Sequence, residues 1–145
     1  MTDFYKDLVE RDGVYYRKLS DVPFSGKITG LHKGSIKNGK EDGEWFFYWF
    51  KDHLMYKGNY KNGEREGEWT TYFANNQLRD KGNYKNGKKE GEWIRYWDNL
   101  YHELRSKGNY KNGKRDGAWV GYYTDGTLDK EVTGTYKNGV KITPW

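Results

Sequence analysis

Histidine, which can act as a general base or a metal ligand, is rare in this chain. The three histidines are His32, His53 and His102, and none of them returns at a fixed interval. Two of them fall at predicted turns, so a shared site would need distant segments of the chain to converge. We therefore expect solvent-exposed turn histidines, not a catalytic base or a metal ligand.

The regularly spaced acidic residues also favour a structural role. Glu44, Glu68 and Glu92 have equivalent positions, which makes a ladder along one surface and not a paired acid and base. Lys-Asn-Gly is a hairpin-turn sequence, whereas a phosphate-binding loop joins a strand to a helix. The chain has no cysteine, so it has no thiolate ligand and no cysteine nucleophile. We predict no enzymatic activity, no cofactor and no metal site.

Aromatic residues recur in two rows that could bind a partner. The rows are Trp45, Trp69, Trp93 and Trp119, then four residues later Trp49, Phe73, Trp97 and Tyr123. One interpretation is that these rings pack together as the core of a sheet. The other is that part of each row stays exposed and anchors a partner, as Trp and Tyr do in binding hot spots. Both can hold at once.

Five lysines could form a basic edge. Each precedes an Asn-Gly pair; they are Lys37, Lys61, Lys85, Lys111 and Lys137. One interpretation is an edge that attracts anionic lipid or nucleic acid. The other is a solvated edge, which the interleaved acids and the modest net charge of +5 favour.

The element that positions all these residues is a repeat. The pattern of KGNYKNGKKEGEW at 81–93 recurs with small changes at 57–69 and 107–119. More divergent copies begin at Lys33 and Thr133. The lysines of Lys-Asn-Gly are spaced by 24, 24, 26 and 26 residues, which indicates one supersecondary unit per repeat. We predict an N-terminal cap with a degenerate repeat over residues 1–36. The repeat array then covers residues 37–145, with units starting near 37, 61, 85, 111 and 137.

Each repeat is predicted to be a β-hairpin. Asn-Gly pairs alternate with a second set of turn residues about every 11–13 residues, which leaves strands of roughly 8–10 residues. Aromatic residues make up 19% of the chain and, with recurring glycines, they favour strand over helix. Asp12-Gly13 predicts a further short hairpin over residues 8–19, and Met1–Asp7 is either a short helix or a tail. Pro144 suits an edge strand because proline cannot donate to a ladder.

Counting from the turns predicts the strand register. With a two-residue turn at Asn75-Asn76, Trp69 faces Gly82, Gly67 faces Tyr84 and Phe73 faces Leu78. Trp69 would then cover the bare backbone of Gly82.

The same counting across Asn86-Gly87 places Lys81 opposite Glu92, and in the preceding repeat it places Lys57 opposite Glu68. Such opposite charges help to fix register.

The string GNYKNGKKEGEW resembles the MORN repeat, and the unit GEWxxY–turn–L–KGNYKNG is similar to its bacterial variant. Proteins built from that variant include YwqK-type antitoxins of toxin–antitoxin systems, whose N-terminal part the segment LVERDGVYYRKLSDVPFSGKITG also resembles. The resemblance covers nearly the whole chain. It implies an all-β fold, an elongated single-layer antiparallel β-meander, that is used for protein binding.

Together these observations predict a non-catalytic protein-binding repeat module, specifically a bacterial antitoxin or immunity protein with another protein, a toxin, as its partner. The alternative is a membrane-surface or anionic-ligand module using the basic edge, and nucleic acid is a less favoured partner. The candidate partner-binding residues are the two aromatic rows together with Tyr101 and His102 of DNLYHE, the least repeat-like segment. No apolar run reaches the roughly 20 residues of a membrane span, so we expect a cytoplasmic protein.

Overall fold

The computed structural model describes residues 1–143 as a long, open sheet of hairpins. Twelve strands lie in the order β1-β4-β5 and then consecutively to β14, and β2 and β3 form a separate hairpin. All neighbours are antiparallel except β1, which runs parallel to β4. The predicted all-β antiparallel meander is confirmed. The elements are β1 Thr2–Asp3, α1 Phe4–Asp7, β2 Leu8–Arg11, β3 Val14–Arg17, β4 Gly26–Thr29, β5 His32–Lys37, β6 Lys40–Phe50, β7 His53–Lys61, β8 Glu64–Tyr72, β9 Leu78–Lys85, β10 Lys88–Tyr96, β11 Leu104–Lys111, β12 Lys114–Gly121, β13 Gly134–Lys137 and β14 Val140–Thr143.

The N-terminal segment has both local structures that the sequence suggested. Asp12 and Gly13 take positive φ angles in the turn between β2 and β3, so the Asp-Gly hairpin is confirmed. Residues 4–7 form the single helical turn α1, and the Asp3 carboxylate caps it by accepting from the Tyr5 and Lys6 N–H groups. Pro144, for which an edge strand was predicted, lies outside the described residues.

The Asn-Gly turns reverse the chain and also join neighbouring repeats. Asn86 has φ 52° and Gly87 φ 80°, as a type I′ turn requires. The Gly87 N–H donates to the Arg65 carbonyl at 3.0 Å, and the Gly113 N–H donates to the Lys89 carbonyl at 2.9 Å. Each turn is therefore hydrogen-bonded to the hairpin before it.

A bulge after each Asn-Gly turn makes one predicted register wrong. Asn83 pairs with Glu90, but Lys81 pairs with Ile94 and not with Glu92. The strand opposite Lys81 thus contains two extra residues, because Gly91 turns the backbone to φ 75° there. Glycine tolerates this conformation, and a count that assumes extended strands does not include the extra residues of such a bulge.

The lysines of this face therefore pair with glutamates on the other neighbouring strand. Lys57 pairs in the ladder with Thr70, so its predicted position opposite Glu68 is also wrong. Instead Glu68 forms an ion pair with Lys81, with 3.6 Å between carboxylate oxygen and ammonium nitrogen. In the next repeat Glu92 and Lys107 do the same at 3.7 Å.

Across the longer turn the register is as predicted except next to the loop. Trp69 faces Gly82 and Gly67 faces Tyr84, but Leu78 pairs with Tyr72 and not with Phe73. The shift arises because a one-residue bulge at Arg79 interrupts β9.

The tryptophan rings cover glycines, but not the predicted ones. A Cβ built on Gly58 would lie less than 3 Å from the Trp69 indole, and one built on Gly82 would meet Trp93 in the same way. Trp69 therefore leans over Gly58, not over its ladder partner Gly82. Its Nε1–H donates to the Asn59 carbonyl at 3.0 Å, which fixes this direction.

A continuous row of alternating Trp and Tyr rings runs through the core, which near the N-terminus also includes Leu8, Ile28 and Ile36. Successive rings meet edge to face, with centroids 5.0 Å apart for Tyr60 and Trp69 and 6.2 Å for Trp69 and Tyr84. Edge-to-face pairs add about 0.5–1.5 kcal/mol beyond the area they bury. The row runs through Trp45, Tyr60, Trp69, Tyr84, Trp93, Tyr110, Trp119 and Tyr136.

Candidate functional site: a groove on the aromatic face

The two aromatic rows differ in burial. The four rings of the inner row are buried, with Trp69 only 1% exposed; the row is Trp45, Trp69, Trp93 and Trp119. Among the outer rings, Trp49 is 41% and Tyr123 46% exposed, and Phe73 and Trp97 are half-buried. Core packing therefore describes the inner row, and the outer rings keep surface that a partner could contact.

The outer tryptophans are fixed by hydrogen bonds to the next repeat. The Trp49 Nε1–H donates to the Tyr72 carbonyl at 3.0 Å. The Trp97 Nε1–H donates to the Tyr122 carbonyl at 2.9 Å. The rings are thus held in place before any partner arrives, which reduces the ordering cost of binding.

A groove lies between the inner row and the outer rings. It consists of three neighbouring hollows of about 320, 30 and 170 Å³. The first two share Asp80 and Arg95, and the last two share Arg95 and Ser106. We call the continuous depression the groove; it reaches from Trp49 to Tyr123.

The groove floor is a row of side chains that are paired across adjacent strands. Thr71 pairs in the ladder with Asp80, Asp80 with Arg95, and Arg95 with Ser106. The buried Asp80 carboxylate accepts from the Thr71 hydroxyl at 2.7 Å and lies 3.5 Å from the Arg95 guanidinium. Asp80 thus holds Arg95 in position at the centre of the groove.

Bulges bring two further arginines to this face. Arg79 and Arg105 are the extra residues at equivalent bulges of β9 and β11. Strict alternation would point Arg79 away from Asp80, yet both line the first hollow. Arg105 likewise lines the third hollow beside its neighbour Ser106. A bulge can re-aim a side chain in this way.

Besides Arg95 and the two bulge arginines, three further cations stack on the core rings. Arg65 lies 4.5 Å from the Trp69 ring centroid and 5.4 Å from that of Tyr84. Lys89 repeats this geometry on Trp93, and Arg115 repeats it on Trp119, each at 4.5 Å. Each cation therefore stabilises the ring row by cation–π contact and keeps its charge at the groove.

The groove is strongly basic. Its lining contains six cations, namely Arg65, Arg79, Lys89, Arg95, Arg105 and Arg115, and two acids, Asp80 and Asp129. The pKa of Arg105 lies below its usual value because the side chain is partly desolvated and because Arg95 and Arg79 repel it. Positive charge is therefore concentrated at this point of the surface.

The DNLYHE segment divides into an exposed and a fixed part. Tyr101 is 76% exposed and so is available for contact. His102 stacks on Tyr96 with centroids 4.5 Å apart, and its Nε2 lies 2.6 Å from the Leu78 carbonyl oxygen. His102 thus anchors the loop.

The expectation of solvent-exposed histidines is wrong, because all three are half-buried. Burial lowers the pKa of His32, which lies edge-on to Phe47 with centroids 4.7 Å apart. His53 Nδ1 contacts the Ala74 carbonyl oxygen at 2.7 Å. Within residues 1–143 no three His, Asp or Glu side chains are grouped as metal ligands would be.

The turn lysines are exposed, but acids lie beside their turns. Lys85 precedes Asn86, whose backbone N–H donates to the Glu66 carboxylate at 3.0 Å. Asn112 donates to Glu90 in the same way at 3.0 Å. These carboxylates reduce the positive field of that edge.

Two groups of groove residues were not predicted from the sequence. Arg65, Lys89 and Arg115 stand four residues before an inner-row tryptophan, so their common period was a readable signal. Arg79 and Arg105 also recur, each two residues before a KGNYKNG segment, but the bulges that turn them toward the groove are not readable from the sequence.

Comparison with known families agrees with the repeat architecture. A family model described as a MORN repeat variant matches residues 41–62, 65–86 and 115–138. A search of curated proteins gave no match. No helix within residues 1–143 has the length and apolar character needed to cross a bilayer. The three matched segments are thus similar to MORN repeat variants, and such repeats suggest a repeat-based binding module.

Proposed function

We propose that this chain is a non-catalytic module that binds another protein through the groove, and that it serves as a bacterial antitoxin or immunity protein. The observation that carries the proposal is the groove itself. Preformed aromatic rings and guanidinium groups, the side chains enriched in binding hot spots, line one continuous surface across several repeats.

The antitoxin role draws on the resemblance of the repeat unit and of residues 8–30 to the YwqK-type family. An antitoxin that acts by covering its toxin needs a broad surface, and an open sheet offers one uninterrupted face.

Photo-crosslinking in the native host tests the proposal. A photoreactive residue at Tyr123, on the groove, should capture a protein that the same residue at Lys85, on the turn edge, does not. Co-expression with the captured protein tests the finer role, since an antitoxin should relieve growth inhibition by its toxin. Capture at Lys85 alone, or no capture at either position, would contradict protein binding through the groove.

A membrane-surface or anionic-ligand role at the turn lysines is the second candidate. It is favoured by the exposure of all five lysines on one edge of the sheet. Flotation of the protein with anionic vesicles, lost when those lysines are neutralised, would support it.

A further inference from the structure

Three arginines on adjacent strands form a compact cationic cluster in the groove. Arg79 lies on β9, Arg95 on β10 and Arg105 on β11, and we call them the arginine cluster. Adjacent strands are about 4.8 Å apart, so the cluster spans roughly 10 Å. That is about three residues of an extended chain, at roughly 3.3 Å each.

The guanidinium groups are held in positions from which they can bind a ligand. Arg105 stacks on Trp97, with its Cζ 4.3 Å from the ring centroid, and Arg79 lies 6.0 Å from Phe73. Arg95 is held by Asp80. A guanidinium that stacks through its face keeps its N–H edge for an oxygen ligand, and its fork matches a carboxylate.

We propose that the arginine cluster binds the carboxylates of an extended acidic segment of a partner protein, while the outer rings contact the side chains between those carboxylates. This inference rests on the proposed protein-binding function and names the chemistry of the partner. Charge complementarity identifies the segment as acidic, since six cations and two acids line the groove.

Two features favour a protein segment over a nucleic acid or a lipid surface. Asp80 on the floor and Asp129 at one end interrupt the positive lining, which suits spaced carboxylates better than an uninterrupted polyanion. The groove also alternates charge with apolar rings, including Trp49 and Tyr123 at its two ends. A peptide that alternates acidic and aromatic side chains satisfies both.

Fluorescence anisotropy tests the proposal on the full chain. The probe is a labelled synthetic peptide of alternating Glu and Tyr; its counterpart has Gln in place of Glu. The test variant is Arg79→Gln, Arg95→Gln, Arg105→Gln. The matched control is Lys61→Gln, Lys85→Gln, Lys111→Gln, which changes the net charge equally on the turn edge.

We expect the acidic peptide to bind the wild type and the control about equally, and the Gln peptide to bind more weakly. The test variant should bind the acidic peptide at least about tenfold more weakly, equivalent to about 1.4 kcal/mol. Binding should weaken with added salt, since exposed charges are screened within about 8 Å at physiological ionic strength.

A second variant guards against misfolding. Arg79 and Arg105 are both exposed, so Arg79→Gln with Arg105→Gln leaves the Asp80–Arg95 pair intact. This variant should keep the circular dichroism spectrum of the wild type and still lose affinity.

Several results would overturn the inference: equal weakening by the groove and turn-edge variants, no binding of the acidic peptide, or tighter binding of oligothymidine or phosphatidylserine vesicles than of the peptide. If a photo-crosslinked partner is nevertheless captured at Tyr123, protein binding stands and the acidic-segment inference fails. If no partner is captured there, the proposed function fails.

Discussion

The position of each indole over a glycine predicts a specific energetic coupling. In Gly82→Ala the new Cβ would lie less than 3 Å from the Trp93 indole. Gly82 sits in extended backbone, so alanine costs no φ strain and the whole effect comes from displacing that ring. The ring also donates to the Asn83 carbonyl at 3.1 Å and meets Tyr84 edge to face at 5.2 Å.

The expected loss follows from these contacts. Overpacking costs about 1–3 kcal/mol, and weakening one hydrogen bond costs about 1 kcal/mol. An edge-to-face contact adds about 1 kcal/mol. Because a displaced ring relaxes part of the overpacking, we expect Gly82→Ala to lower the free energy of unfolding by about 2–4 kcal/mol.

A double-mutant cycle in urea, followed by circular dichroism, measures the coupling. Trp93→Leu removes the ring that alanine at position 82 would strike, so the two changes should be non-additive by about 1–3 kcal/mol. Trp69→Leu is the matched control, because Trp69 is the ladder partner of Gly82 but leans over Gly58. Additivity with Trp93 together with coupling to Trp69 would refute the assignment of rings to glycines.

Three further predictions concern charge, pH and the exposed loop. Asp80→Ala leaves the Thr71 hydroxyl and Arg95 without their partner and should cost about 1–3 kcal/mol in urea unfolding, whereas Asp80→Asn should cost less; equal losses would contradict the hydrogen-bond role. Burial, partly offset by Asp3, lowers the pKa of His32 in the folded protein. The free energy of unfolding should therefore be highest above the unfolded pKa of about 6.5 and should fall as the pH drops through that value. His32→Phe should make the melting temperature less dependent on pH, and an unchanged pH profile would contradict this. Tyr101→Ser should leave the melting temperature within a degree or so because the ring is 76% exposed, while weaker crosslinking of the captured partner would place the loop in the interface.

The fold was readable from the sequence because its signals are local and periodic. Asn86-Gly87 specifies a type I′ turn at every recurrence, and Trp69 opposite Gly82 follows from counting outward from the other turn. These signals extend over only a few residues, so the same signals occur in each repeat. The hairpin of Asp12-Gly13 follows from the same chemistry.

The predictions failed where the backbone leaves extended geometry. Gly91 at φ 75° adds two residues to its strand and shifts Lys81 from Glu92 to Ile94. The bulge at Arg79 turns that side chain toward the groove. Glycine is compatible with both extended and left-handed backbone, so its presence in the motif did not distinguish a strand residue from a bulge.

Only some residues of the candidate site could be predicted from the sequence, for a related reason. Trp49 and Tyr123 were identified by their period, and the structure leaves them exposed at the groove. Arg95 and Asp80 occur in single repeats, so periodicity gave them no weight. Residues that differ between repeats need the register before their common surface can be seen.

The indole N–H signals of the protein in a nitrogen–proton correlation spectrum test the central claim most directly. On titration with the captured partner, the signals of Trp49 and Trp97 should shift, because both rings line the groove. The signal of Trp45, a fully buried ring away from the groove, should stay in place. Saturable partner binding that leaves the Trp49 and Trp97 signals unmoved would contradict binding through this face.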